Sequence, residues 1–176
     1  EVVFCDVEED TYLMDIKKLS RLLSQSPKGT YKGIVLVDFA GYPANLEAFR
    51  QLADEYGLWI IEDACHAPGG YFIDSKGEKQ LCGNGNFADI SVFSFHPVKH
   101  IATGEGGMAT TNSKKLYEKL CLYRTHGITK DPALLCENHG GWYYEMQELG
   151  YNYRITDFQA ALGISQLKRA DMGLAR

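Results

Sequence analysis

One stretch of this chain sets side chains of complementary chemistry close together. It runs Ser91-Val92-Phe93-Ser94-Phe95-His96-Pro97-Val98-Lys99-His100 and is followed by Gly104-Glu105-Gly106-Gly107. A β-prone run ends in a turn fixed by Pro97, the turn delivers Lys99, and a glycine-dense loop follows. A hydroxyl and a lysine at a strand's end suit an enzyme that holds a phosphate beside a Schiff base. A lysine is a poor nucleophile at its solution pKa of about 10.4. It becomes useful when buried or set beside other cationic groups, and carbonyl cofactors exploit it as a Schiff base. The plainer reading is a surface lysine in a turn. Ser94, earlier in the same run, and Gly104, Gly106 and Gly107, which allow close backbone approach, favour the chemical one.

Asp63 is the second such residue. It follows the apolar run Leu58-Trp59-Ile60-Ile61, and a carboxylate at the end of a buried strand can pair with a protonated ring nitrogen. That pairing keeps a pyridoxal cofactor an electron sink. The competing reading is a turn or capping aspartate. His66 stands three positions further on, able to touch the same ring or to be an ordinary turn histidine.

Other patterns carry less. Gly83-Asn84-Gly85-Asn86-Phe87-Ala88 matches G-x-G-x-x-A, but a dinucleotide fingerprint follows a strand and opens a helix, and this one precedes a strand. His96 and His100 have the spacing of a helical zinc pair, yet Pro97 opposes a helix between them and no third ligand stands near. Glu8-Glu9-Asp10 reads as a solvated connector. No metal site is expected.

The elements that must position Lys99 and Asp63 are legible from periodicity. Val2 to Cys5 is a short strand candidate. Ile16, Leu19, Leu22 and Leu23 fall at helical spacing behind a capping Asp15. Gly33 to Val37 is a continuous β-branched run, expected to be a strand buried on both faces. Asn45 caps a helix to Tyr56 that Gly57 ends, and Leu58 to Ile61 is the next strand. Strand, helix, strand with short joints is a βαβ unit and implies a parallel sheet. Ligands of such sheets gather beyond the carboxyl ends of the strands, where Asp38 and Asp63 stand. Residues 69 to 85 read as irregular. Strands are expected over 88–93 and 107–111, a helix over Ser113 to Arg124 with Leu116, Leu120 and Tyr123 inward, a long aperiodic segment over 125–150, and a helix from Thr156 through Lys168 towards Arg176. A loop that long is usually functional or partner-bound.

With 176 residues, 45% of them hydrophobic, the chain has enough apolar material for one core. Its formal charge of −5 argues against nucleic acid as the main partner. Its apolar runs are too short to span a bilayer. Five cysteines without a C-x-x-C pair read as reduced, cytosolic thiols. The expected fold class is therefore α/β, a mostly parallel sheet flanked by helices. Residues 1–176 are expected to form one domain or part of one.

Four ordered motifs add a resemblance that covers nearly the whole chain. These are Glu62-Asp63-Ala64-Cys65-His66-Ala67, Phe93 to Lys99, Gly104 to Gly107, and Gly150-Tyr151-Asn152-Tyr153-Arg154 through Gln159-Ala160-Ala161. They resemble the DegT/DnrJ/EryC1/StrS family of sugar aminotransferases, enzymes of fold type I that use pyridoxal 5'-phosphate. The resemblance implies that Lys99 carries the Schiff base and shuttles a proton. It implies that Asp63 holds the pyridinium proton, His66 contacts the ring and Ser94 binds the phosphate. It further implies that Asn152 reaches the cofactor phosphate of a neighbouring subunit in a homodimer with shared sites, and that Arg154 helps place substrate. Some members carry histidine in place of the lysine and act as dehydratases; Lys99 argues against that branch. Gly141-Trp142-Tyr143-Tyr144-Glu145-Met146 and Leu149-Gly150 resemble the branch of pseudaminic acid synthesis, which implies a UDP-linked 4-keto-6-deoxy-N-acetylhexosamine as acceptor and glutamate as donor. Members of the family are longer, so the chain is expected to be the core of the large domain, without the upstream phosphate loop and the small C-terminal domain. Little transaminase activity is expected of that piece alone. The alternative is a non-catalytic nucleotide-sugar binding or assembly domain on the same scaffold, which would bind UDP-sugar but not pyridoxal phosphate.

Overall fold

The structure, a computed structural model, describes residues 1–175. Helix α1 (Ile16–Ser24) starts where Asp15 accepts the Lys17 and Lys18 amides, meeting donors the first turn leaves unpaired. Helix α2 (Leu46–Tyr56) is capped by Asn45 and stopped by Gly57 in the left-handed region at φ 69°. Strands β1 (Gly33–Val37), β2 (Trp59–Asp63), β5 (Ile90–Ser94) and β6 (Gly107–Thr110) form one sheet in the order β1-β2-β5-β6. The β1–β2 and β2–β5 pairs are parallel and β5–β6 is antiparallel. The α/β class with a mostly parallel sheet flanked by helices is therefore the observed one.

Side chains alternate across a strand, and that period divides the sheet. Ile34, Leu36 and Ile60 are buried with Leu19 and Leu23 of α1 and Leu46, Phe49 and Ala53 of α2 in one core. The opposite residues are not covered: Val35 is 50% exposed and Trp59 45%. The expectation that Gly33 to Val37 is buried on both faces is thus corrected. An unbroken apolar run records that both faces are apolar, not that both are packed.

Three more expectations change. Val2 to Cys5 forms no strand; Val2, Val3 and Phe4 are exposed. Residues 69–85 hold a hairpin, β3 (Tyr71–Ile73) paired antiparallel with β4 (Lys79–Leu81), whose strands are too short to show a period. The last helical stretch is broken into α4 (Asp157–Leu167) and α5 (Ala170–Leu174). On α4, Phe158 is 90% exposed, so its apolar residues make no simple inward stripe.

The chain divides into two compact units, Glu1–Asn112 with Asp157–Arg176, and Ser113–Thr156. The second unit holds α3 (Lys114–Arg124), capped by Ser113, and a ladder of β7 (Ile128–Thr129) with β8 (Glu145–Met146) in the segment that reads as aperiodic. Leu116, Leu120 and Tyr123 of α3 are half-buried.

Leu36 is fully buried at the centre of the larger core. Leu36→Ala is expected to lower the unfolding free energy by about 3 kcal/mol through lost transfer energy and the cavity left behind. The urea midpoint at unchanged m-value measures it, and a loss under about 1 kcal/mol would contradict this packing.

Candidate active site

Parallel pairing aligns the carboxyl ends of three strands. Val37 is level with Asp63, and Asp63 with Val92. The Asp38 amide donates to the Asp63 carbonyl (3.0 Å) and the Ala64 amide to the Val92 carbonyl (2.9 Å), locking these ends together. Asp63, the last residue of β2, is half-buried, and its Oδ1 accepts the Cys65 amide at 3.1 Å. His66 follows on the same turn. Its Nδ1 accepts the Ala40 amide at 3.3 Å, which in the neutral ring places the proton on Nε2. Phe39 packs on it at 6.2 Å between ring centroids.

The lysine loop leaves from β5. Ser94 is its last residue, and Ser94 Oγ accepts the His96 amide at 3.3 Å. His96 to Lys99 is a β-turn closed by the Lys99 amide on the His96 carbonyl at 2.9 Å, with Pro97 at the position its fixed φ favours. Phe95 donates to the Gly106 carbonyl and Thr103 to the Phe95 carbonyl, both at 2.9 Å, so the loop returns on itself and β6 begins beside Ser94. A Cβ on Gly107 would stand 2.8 Å from the Phe93 carbonyl oxygen, closer than side chains tolerate. Only glycine lets β6 approach there.

Lys99 is half-buried, and its ammonium is near enough to Cys65 to act on the thiol. Burial, then the Asp63 carboxylate, push the Cys65 thiol up to about 11, and Lys99 opposes the shift. The amine of Lys99 and the carboxylate of Asp63 thus both act on the Cys65 thiol. Asp63, His66, Ser94 and Lys99 all lie at the carboxyl edge of the first unit's sheet. Asn152 and Arg154 belong to the second unit, where both are exposed. There Arg154 Nε donates to Asn152 Oδ1 at 2.9 Å and Asn152 bridges to Thr125.

The donor set at the sheet edge fits a phosphorylated aromatic aldehyde. Lys99 supplies an amine for the carbonyl, Asp63 a carboxylate for a protonated ring nitrogen, Ser94 a hydroxyl for the phosphate and His66 a ring. His96 Nε2 lies 3.9 Å from Glu105, and among the described residues the one group with metal-ligand spacing is elsewhere: Asp38, Glu62 and Cys82, all buried. This cluster is what inspection of motifs misses. Its signal is present in the period of two, since Asp38 continues the buried positions Ile34 and Leu36, and Glu62 continues Ile60.

A model of the DegT/DnrJ/EryC1/StrS aminotransferase family matches residues 1–176, and the chain belongs to that family. It is 40% identical over 176 residues to a UDP-4-amino-4,6-dideoxy-N-acetyl-beta-L-altrosamine transaminase of Campylobacter jejuni, covering all of this chain and 42% of that protein. Among solved structures it is similar to Helicobacter pylori PseC, described as an aminotransferase involved in the biosynthesis of pseudoaminic acid. The TM-score is 0.76 at 34% identity, over 97% of this chain and 40% of that one. It is also similar to the sugar aminotransferase Spr1654 of Streptococcus pneumoniae in its PLP-form, with a TM-score of 0.75 at 27% identity, over 97% of this chain and 43% of that one. The chain spans about two fifths of the length of the curated relatives it matches. No helix among the described residues is long and apolar enough to cross a membrane.

The Cys65 thiol feels both Lys99 and Asp63. Asp63→Asn is expected to lower the Cys65 pKa and speed its alkylation by iodoacetamide near neutral pH several-fold, because the thiolate is the reactive form. Lys99→Ala is expected to slow it. Mass-spectrometric rates at Cys65 across pH check this, and unchanged rates in both variants would refute the placement.

Proposed function

We propose that the protein transfers an amino group, with glutamate as donor, to the keto carbon of a nucleotide-linked 4-keto-6-deoxy sugar, using pyridoxal 5'-phosphate. The observation that carries this reading is the convergence of Lys99, Asp63, Ser94 and His66 on one strand edge in a chain of this family. When bound, the cofactor supplies an electron sink for the carbon that gains or loses the amino group. Lys99 would bind the cofactor's aldehyde through its amine and would carry a proton at Nζ. Asp63 keeps the ring nitrogen protonated, and the Cys65 amide on Oδ1 fixes the carboxylate's direction. Ser94 would donate its hydroxyl to the phosphate, and His66 would contact the ring. Asn152 completes the phosphate site of a partner subunit in a homodimer, and Arg154 orients the substrate. The similarity to the altrosamine transaminase and to PseC supports a UDP-linked N-acetylhexosamine acceptor and a role in pseudaminic acid or related surface-glycan synthesis. The unpaired cysteines support a cytoplasmic site of action.

The full-length protein is expected to bind pyridoxal phosphate with a visible absorption band, and borohydride treatment to fix the cofactor's mass on the Lys99 peptide. Lys99→Ala is expected to abolish the band and to lower kcat by at least about 100-fold, the usual scale of a lost proton-transfer group. A band that survives the substitution refutes Lys99 as the attachment point. UDP-sugar binding without pyridoxal phosphate binding would instead identify a non-catalytic sugar-nucleotide module.

A further inference from the structure

Behind Asp63, on the buried face of the sheet, lies an arrangement that the aminotransferase reading does not use. Asp38 and Glu62 have 0% and 1% of their surface exposed. Asp38 continues β1 and Glu62 is the penultimate residue of β2, so parallel pairing brings them side by side on one face while Asp63 points to the other. Oxygens of both and the Cys82 sulfur lie within 4.8 Å of one another.

The hydrogen bonds around the pair are nearly complete. Glu62 accepts the Gly83 amide on both oxygens, at 3.1 and 3.0 Å, and a short hydrogen bond from Ser91 Oγ, which stands level with it on β5. Asp38 Oδ1 accepts the Ala44 amide at 2.8 Å. Asp38 Oδ2 is buried and has no donor. Two adjacent carboxylates removed from water cannot both remain ionised without a counter-charge. The titratable groups acting on them are each other, Asp63 from β2 and the Cys82 thiol from the turn after β4, and none of these is a cation.

We propose that Asp38 and Glu62 share one proton, seated between Asp38 Oδ2 and the Glu62 carboxyl, and that this protonated pair positions Asp63 at the sheet edge. One proton supplies the donor that Oδ2 lacks and leaves the pair with a single negative charge. Glu62 is joined to Asp63 by a peptide bond, and the Asp38 amide holds the Asp63 carbonyl at 3.0 Å. The pair therefore grips the backbone of Asp63 from its own strand, through Glu62, and from neighbouring β1, through Asp38. With both groups ionised, their repulsion would act on those same two strand ends. Burial pushes the Glu62 carboxyl up to about 7 and raises Asp38 as well. The folded protein thus keeps a proton that the unfolded chain loses near its ordinary carboxylate range. Stability from this source is full below that range, falls as pH rises towards about 7 and is flat beyond. The importance of Asp63 rests on the proposed reaction, but the shared proton does not.

The test uses the cofactor-free full chain, so that failure to bind pyridoxal phosphate counts only against the reaction. Infrared spectra at neutral pH are expected to show a protonated carboxylic acid C=O band that Asp38→Asn removes. The unfolding constant of the parent is expected to rise with pH more steeply than that of Asp38→Asn, by up to about tenfold per pH unit between about 5 and 7, one proton's worth. The exchange protection of the Asp38 amide, which reports on the grip on Asp63, is expected to weaken above neutral pH in the parent and not in the variant. Asn keeps an acceptor for the Ala44 amide and offers an amide donor to Glu62; Glu62→Gln repeats the test from the other strand should Asp38→Asn not fold. Equal pH slopes in parent and variant, no acid band in the parent, or a stoichiometric divalent metal whose chelation unfolds the protein would each overturn the proposal.

Discussion

The parallel register of β1, β2 and β5 is the constraint on which the rest of this structure depends. It sets Val37, Asp63 and Val92 on one level, so three strands end together and their following turns share one edge. Asp63 and His66 come from the second strand and its turn, Ser94 and Lys99 from the third. A slip of one residue in β2 would carry Asp63 to the buried face and Glu62 to the open one, because the side-chain period is two. The packing of Ile34, Leu36 and Ile60 against α1 and α2 forbids that slip. The hydrophobic core thus fixes the chemistry's geometry without touching it.

The two faces of the strand ends divide the polar groups between two tasks. On one face the half-buried Asp63 carboxylate and Lys99 both act on the Cys65 thiol. On the other, two carboxyls and a serine fill the end of the core, where alternation alone would place apolar side chains. Polar groups buried at that depth are costly unless every one is paired. The hydrogen bonds from Ser91, Gly83 and Ala44 meet most of that demand and tie the β1–β2 end to the turn after β4.

The lysine turn shows how local sequence and long-range contact combine. Pro97 fixes the bend that brings Lys99 back towards the sheet edge. Where Lys99 then stands depends on residues further along: the Gly106 carbonyl holding Phe95, and Gly107 admitting the close return of β6. In the second unit Asn152 and Arg154 pair with each other on an exposed stretch that bridges to Thr125.

Much of this was decided by residue order alone. Asp15, Asn45 and Ser113 announce their helices because each side chain accepts amides only a few positions away. Gly57 ends α2 by a conformation other residues resist, and the apolar runs into Asp38 and Glu62-Asp63 mark strands whose ends collect ligands. Four ordered motifs carried the family and singled out Lys99, Asp63, Ser94 and His66. Other features depended on contacts distant in the chain, which no local pattern encodes. The exposed side of Val35 and Trp59 depends on what packs there, and the three-residue strands of the β3–β4 hairpin are too short to show a period. The antiparallel return of β6 and the meeting of Asp38, Glu62, Ser91 and Cys82 follow from register between segments. Only tertiary structure decided these, because burial and the pairing of polar groups belong to neighbours in space.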